Sequence, residues 1–233
     1  MAKIEVAVID YGVGNLLSVR RALEHCGAVV SVTADPDVIL GSPRVVLPGV
    51  GAFARGMTEL TRLRLKGAVA QAAARGRPLL GICLGMQMLL DESEEFGVTA
   101  GLGLIPGRVV AVPAVTDDGR PQKLPHIGWA GLTLPQGRDS WTGTLLHDVA
   151  PAEALYFVHS FMASPRDPAD RVADAFYGNV RICAVIARGN VFGCQFHPEK
   201  SGEVGLRILR TFLSTEQFPS RTIGYPMHEA AST

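Results

Sequence analysis

The chain has no charge excess: Lys+Arg and Asp+Glu are 22 each, so the formal net charge is zero. That argues against a nucleic-acid binder, which carries a basic surplus or stripe. No apolar run reaches membrane-spanning length, which argues against a membrane protein. The start, Met-Ala-Lys-Ile-Glu-Val, reads as a strand, not a signal peptide. There are only four cysteines in 233 residues, scattered and mostly inside apolar stretches. This usage predicts a reduced, cytoplasmic protein without a disulfide framework. There is no internal repeat, no low-complexity block and no Walker loop. What remains is 47% hydrophobic and 19% charged residues, enough to fill the core of one sizeable domain.

Strand-like and helix-like stretches alternate in the first half. Residues 4–9, 28–32, 44–47 and 79–82 read as strands. Residues 16–25 read as a helix, 53–74 as a long helical region interrupted at Gly56 and Gly67, and 84–95 as another helix. Residues 101–135 hold short alternating runs such as Arg108 to Val112, which read as smaller, partly antiparallel strands. Strands follow at 154–158, 183–187 and 191–196, then a helix over 201–213. The expectation is an α/β fold: a central mixed, mostly parallel sheet flanked by helices, with a small antiparallel addition. The domain spans 1–213, and 214–233 reads as a loose tail.

The chemistry concentrates at Gly81-Ile82-Cys83-Leu84-Gly85-Met86-Gln87. An apolar strand breaks at a cysteine with a glycine two residues away on each side, and a helical pattern then begins. This is the strand–nucleophile–helix layout of an elbow, with cysteine in the place of serine. Side chains at the glycine positions would collide as the chain reverses. The sulfur stands at a helix N-terminus, where free amides favour thiolate. A thiolate nucleophile needs a base and an orienting group. Gly193-Cys194-Gln195-Phe196-His197-Pro198-Glu199 supplies both. In extended backbone His197 and Glu199 share a face, and Pro198 biases His197 toward that backbone. Cys83, His197 and Glu199 are the candidate triad.

The other candidates are weighed against plainer readings. Cys26, Cys183 and Cys194 read as small buried hydrophobes. A zinc site on Cys194 and His197 lacks a second close ligand pair, so no metal is expected. Gly12-Val13-Gly14 lacks the third glycine of a dinucleotide loop, because Leu17 stands there. His159 has no carboxylate beside it and reads as structural. The amide after the nucleophile, at Leu84, is one expected oxyanion donor. Gln87, one helical turn beyond Cys83, faces the same pocket or else solvent.

These motifs resemble the class I (triad) glutamine amidotransferases. Asp10 to Leu16, Pro48 to Phe53, Pro125 to Trp129, Tyr156 to Phe161 and His197 to Ser201 narrow the resemblance. They are similar to the family of glutaminase subunits of imidazole glycerol phosphate synthase, over roughly residues 4 to 213. One departure is Ala130, where that family usually has asparagine. The resemblance implies glutamine hydrolysis with no cofactor. It implies Val50 as the second oxyanion donor, with Gly51 allowing close approach of the substrate. It also implies glutamine contacts from Gln87 and from the backbones of Ser160 and Phe161. The ammonia acceptor is expected on a separate chain, the cyclase subunit, a (β/α)8 barrel. Asn15, Trp129 and Lys200 are expected to face that partner; the plainer alternatives for Trp129 and Lys200 are a half-buried core tryptophan and a solvated lysine. A glutaminase of anthranilate or pyridoxal phosphate synthesis, or a non-enzymatic regulatory relative, are the alternatives.

Overall fold

The structure is a computed structural model and describes residues 4–215. It opens with β1 (Ile4–Ile9), α1 (Leu16–His25), β2 (Ala28–Thr33), α2 (Pro36–Gly41) and β3 (Val45–Gly49). Then come α3 (Phe53–Arg62), α4 (Leu65–Ala74), β4 (Leu79–Cys83) and α5 (Leu84–Met88). Short strands follow: β5 (Glu92–Ser93), β6 (Thr99–Ala100), β7 (Gly107–Ala111), β8 (His126–Gly131), β9 (Ala154–His159) and β10 (Phe161–Pro165). The chain closes with β11 (Arg171–Tyr177), β12 (Val180–Arg188), β13 (Val191–Cys194) and α6 (Gly202–Ser214).

The main sheet has the order β11-β12-β13-β4-β3-β1-β2. Its strands from β13 to β2 are parallel, and β11 and β12 are antiparallel additions. Side chains alternate across it, which is why its strands are apolar on both faces. Val6, Val8, Val46, Leu80 and Ile82 face one core with Leu23 of α1 and Phe212 of α6. Ala7, Ile9, Val45, Leu47 and Leu79 face the other, with Phe53, Leu60 and Val69 of α3 and α4. Smaller sheets, β10-β7-β5-β6 and β8-β9, lie outside this frame. The α/β expectation holds, with β5 and β7 adding a parallel pair to the antiparallel addition.

Three local expectations are corrected. The 53–74 region breaks at Leu63 and Arg64, not at the glycines, and Arg64 takes a left-handed conformation, φ 57°. Leu60 and Leu65 are both fully buried. In one continuous helix they would point about 140° apart, so the break lets both reach the core. Gly56 instead serves packing: a Cβ there would lie 2.8 Å from the Met88 sulfur. The helix expected over 84–95 stops at Met88. The carbonyls of Met88, Leu89 and Leu90 accept from the amides of Leu102, Gly103, Leu104 and Ile105, so no further helical turn can use them. At the other end, α6 includes Ser214, and the Thr215 carbonyl accepts from Arg44. The rest of the expected tail lies outside the described residues.

Candidate active site

The parallel strands end together. In the register Gly49 of β3 pairs with Cys83 of β4, and Cys194 of β13 pairs with Ile82. The segments leaving these three strands therefore meet at one edge of the sheet, the usual place for a ligand in an open α/β sheet.

Cys83 sits in the turn between β4 and α5 with φ 54° and ψ −110°. A non-glycine residue held there is strained and persists only if its surroundings demand it. They do. A Cβ on Gly85 would lie 1.8 Å from the Leu47 carbonyl oxygen, and one on Gly81 would lie 2.7 Å from the Gly85 carbonyl. Backbone meets backbone at both glycines: Gly81 against the reversing chain, as the elbow reading requires, and Gly85 against the neighbouring strand β3 instead. The sulfur is almost enclosed, with the Val158 carbonyl oxygen 3.8 Å away.

His197 lies beyond β13, anchored by its amide to the Tyr156 carbonyl, 2.9 Å. Its own carbonyl accepts from the Ser201 hydroxyl, 2.6 Å, whose oxygen accepts the Tyr156 amide, 3.0 Å. Ser201 thus pins β9 to the turn Pro198–Lys200. His197 Nδ1 stands 2.8 Å from Glu199 Oε1, both side chains buried. The bond to the carboxylate fixes the proton on Nδ1. Nε2 has no partner of hydrogen-bonding geometry among the described residues. Burial pulls the imidazole down, but Cys83 and Glu199 outweigh it and raise it to about 9. The three expected triad residues are thus brought together.

The expected oxyanion residues flank the sulfur in sequence register: Val50 follows Gly49, and Leu84 follows Cys83. Tyr11 holds this loop, donating its hydroxyl to the Pro48 carbonyl, 2.7 Å. Burial, reinforced by Cys83, pushes the phenol up. Gly51 has φ 94°, and a Cβ there would meet nothing within 4 Å. Glycine is needed there for its backbone conformation, and the space beside it is open.

Gln87 is buried, not solvent-facing. Its Nε2 donates to the Phe161 carbonyl, 2.9 Å, and to Gln195 Oε1, 3.0 Å. The Ser160 carbonyl accepts the Val112 amide, 2.8 Å. The Phe161 carbonyl also accepts from His159 Nδ1, 2.9 Å, so both its lone pairs are taken. His159 is held neutral, down to about 4, chiefly by burial. With Nδ1 donating, its Nε2 accepts from His126 Nδ1 at 3.2 Å. The structural reading of His159 fits this.

Of the residues expected to face a partner, Trp129 is 59% exposed and meets Tyr156 edge-on at 5.9 Å. The Lys200 ammonium lies 5.8 Å from the same ring. Asn15 is half-buried and accepts the Ser18 amide as the cap of α1. Cys194 faces the Gly81 carbonyl, 3.8 Å, and burial pushes its thiol up.

Two residues escaped the sequence reading. Tyr156 joins Trp129 to Lys200. Gln195, wholly buried, donates Nε2 to the Cys83 sulfur at 3.6 Å. No strand period of the sequence marks Gln195, because β13 ends at Cys194, the chain bends at Gln195 and Phe196, and Pro198–Lys200 forms a one-turn 3-10 helix.

The family model described as glutamine amidotransferase class-I matches residues 7–215. The chain is 51% identical over 208 residues to imidazole glycerol phosphate synthase subunit HisH 1 of Legionella pneumophila (strain Lens), covering 89% of this chain and 98% of that one. It is 51% identical over 222 residues to subunit HisH of Methylococcus capsulatus, covering 93% and 99%. For HisH of Geobacillus sp. (strain WCH70) the identity is 46% over 209 residues, covering 90% and 96%. In fold it resembles a crystal structure of a glutamine amidotransferase, with TM-score 0.67, 17% identity, and 89% and 96% coverage. The structure of PurLQS from Thermotoga maritima is similar too, with TM-score 0.63, 22% identity, and 91% and 98% coverage. Sequence, fold and the elbow cysteine agree: the chain belongs to the class I glutamine amidotransferases, within the HisH subunits of imidazole glycerol phosphate synthase.

Proposed function

We propose that this chain hydrolyses glutamine to glutamate and ammonia with Cys83, His197 and Glu199 as the triad, and hands the ammonia to a separate cyclase subunit. The Cys83 thiol gives its proton to His197, and the thiolate attacks the side-chain amide carbon. The amides of Val50 and Leu84 hold the resulting oxyanion. The His197 imidazolium returns the proton to the nitrogen, the C–N bond breaks, and ammonia leaves a thioester on Cys83. Water then adds to the thioester carbon while His197 takes a water proton. The C–S bond breaks, glutamate departs, and thiolate and imidazolium are regenerated. Glu199 orients His197 and favours its cationic form. Gly51, Gln87, Ser160 and Phe161 line the glutamine end of the pocket. One amidotransferase domain, residues 1–213, carries all of these groups.

The observation that carries this reading is the buried His197–Glu199 pair, 2.8 Å apart, beside a cysteine in a strained elbow. The cyclase partner, a (β/α)8 barrel, would receive ammonia at the face bearing Asn15, Trp129 and Lys200. Ammonia is small, diffusible and readily protonated, so a mouth pressed against the acceptor subunit conserves it. All four cysteines are free, and among the described residues no helix is long and apolar enough to cross a membrane. Both support a cytoplasmic setting. The test is glutamate release from glutamine, measured with and without the purified cyclase subunit. Release that the cyclase stimulates supports the reading; none in either condition refutes it.

A further inference from the structure

The side-chain amides of Gln87 and Gln195 form a chain that ends on the nucleophile, and one atom fixes its polarity. The Phe161 carbonyl oxygen can only accept, so the Gln87 group that meets it at 2.9 Å is the NH2. That same NH2 lies 3.0 Å from the Gln195 side chain, so the atom it meets there is the oxygen. The Gln195 NH2 is thereby turned to the Cys83 sulfur, 3.6 Å away. The Phe161 carbonyl is in turn shared with His159, whose ring is set by His126. Neither amide can flip without leaving a buried donor facing a donor, or an acceptor facing an acceptor.

The sulfur also has the Val158 carbonyl oxygen at 3.8 Å. That oxygen suits a thiol, which can donate to it, and opposes a thiolate, which cannot. Once the proton has gone to His197, the negative sulfur needs a fixed donor. Gln195 is wholly buried, and its amide is anchored to the Ala184 carbonyl, 2.9 Å, in continuation of β13. Water is not required to supply the bond.

We propose that Gln195 is the hydrogen-bond donor that holds the Cys83 thiolate, and that Gln87 is a positioning residue that keeps this donor aimed at the sulfur. The inference rests on Cys83 being the nucleophile. It gives Gln87 a second task beside its place in the glutamine pocket. It also explains why two uncharged amides are buried against a reactive thiol.

The test is the pH profile of Cys83 alkylation by iodoacetamide in the full chain. The Cys83 peptide is followed by mass spectrometry, and glutamate release is measured in parallel with the cyclase complex. Gln195→Met keeps the shape and removes the donor. It is expected to move the profile about one pH unit in the alkaline direction and to slow alkylation at neutral pH about tenfold. Turnover should fall with little change in the Michaelis constant, because the lost bond is to the nucleophile. Gln87→Met should move the profile the same way by less. Gln195→Glu, which retains the volume and puts an acceptor against the sulfur, should move it at least as far as Gln195→Met. It decides the matter in the same way if the methionine variant does not fold. A folded variant of Gln195 with the wild-type profile overturns the proposal. If alkylated wild-type Cys83 leaves glutaminase activity intact, the nucleophile assignment itself fails and the donor role falls with it.

Discussion

His197 and Glu199 meet through Nδ1 and Oε1 at 2.8 Å, across one proline and with both side chains buried. The pair is local in sequence, but its effect is felt at Cys83. Against the pull of burial, Cys83 and the carboxylate hold the imidazole up at about 9. A raised histidine contributes stability that is full below its unfolded value, about 6.5, and is lost as pH rises through about 9. The glutaminase rate is therefore expected to fall on the alkaline side near 9. Glu199→Gln should shift that limb toward neutral and lower turnover by less than His197→Ala does. Its stability deficit against wild type should shrink as pH rises through about 9. Rate–pH profiles and urea midpoints of the three proteins check this.

His159 behaves in the opposite sense. Burial depresses it to about 4, so the folded chain refuses a proton that the unfolded chain accepts at about 6.5. Its contribution is present above about 6.5 and is lost as pH falls toward 4. The slope in that interval approaches about 1.4 kcal/mol per pH unit for one proton. His159→Gln is expected to flatten this acid limb while lowering stability at neutral pH. Denaturant midpoints across the interval give the slope directly.

Two glycines beside the site should respond differently to alanine. At Gly85 a Cβ would enter the Leu47 carbonyl oxygen at 1.8 Å, backbone against backbone. Gly85→Ala is expected to cost more than about 4 kcal/mol and yield little folded protein. Gly51 has open space but φ 94°. Gly51→Ala should fold, with a loss of about 1–2 kcal/mol, and should lower glutaminase activity by disturbing the neighbouring Val50 amide. Thermal melts and glutamate release separate the two cases.

Trp129 and Lys200 both meet the Tyr156 ring. An exposed aromatic with a charge beside it, on the strand pair that anchors His197, suits a docking anchor. Trp129→Ala is expected to weaken cyclase binding by about 2 kcal/mol or more, with almost no change in the melting of the free chain. Lys200→Ala and Tyr156→Ala should follow in the same direction. Titration with the cyclase subunit, read by glutamate release, measures both affinity and stimulation.

Where the cause is local, the sequence discloses the structure. The elbow was legible because Gly81 answers to the backbone of Gly85 and Met86 within one strand–turn–helix unit; Gly85 answers to the Leu47 carbonyl of the neighbouring β3, a contact that only folding makes. His197 and Glu199 were legible from their spacing, but the extended backbone expected there ends at His197: Glu199 lies in the one-turn 3-10 helix Pro198–Lys200, and that turn brings its carboxylate to Nδ1. The end of α5 was not, because the carbonyls that would continue it are claimed by Leu102 to Ile105, a tertiary choice. The break at Arg64 was hidden for a similar reason. Glycines drew attention at positions 56 and 67, whereas burial of both Leu60 and Leu65 sets the break. The Gln87–Gln195 pair spans 108 residues. Only folding brings its polarity under the control of the Phe161 carbonyl.

The central claim is that Cys83 serves amide cleavage and nothing else. The most direct measurement compares glutamine-dependent with ammonia-dependent synthesis by the assembled complex carrying Cys83→Ala. The expected result is complete loss of the glutamine-dependent reaction with the ammonia-dependent reaction at the wild-type rate. Retained glutamine-dependent synthesis, or loss of the ammonia-dependent reaction in a complex that still assembles, would contradict the account.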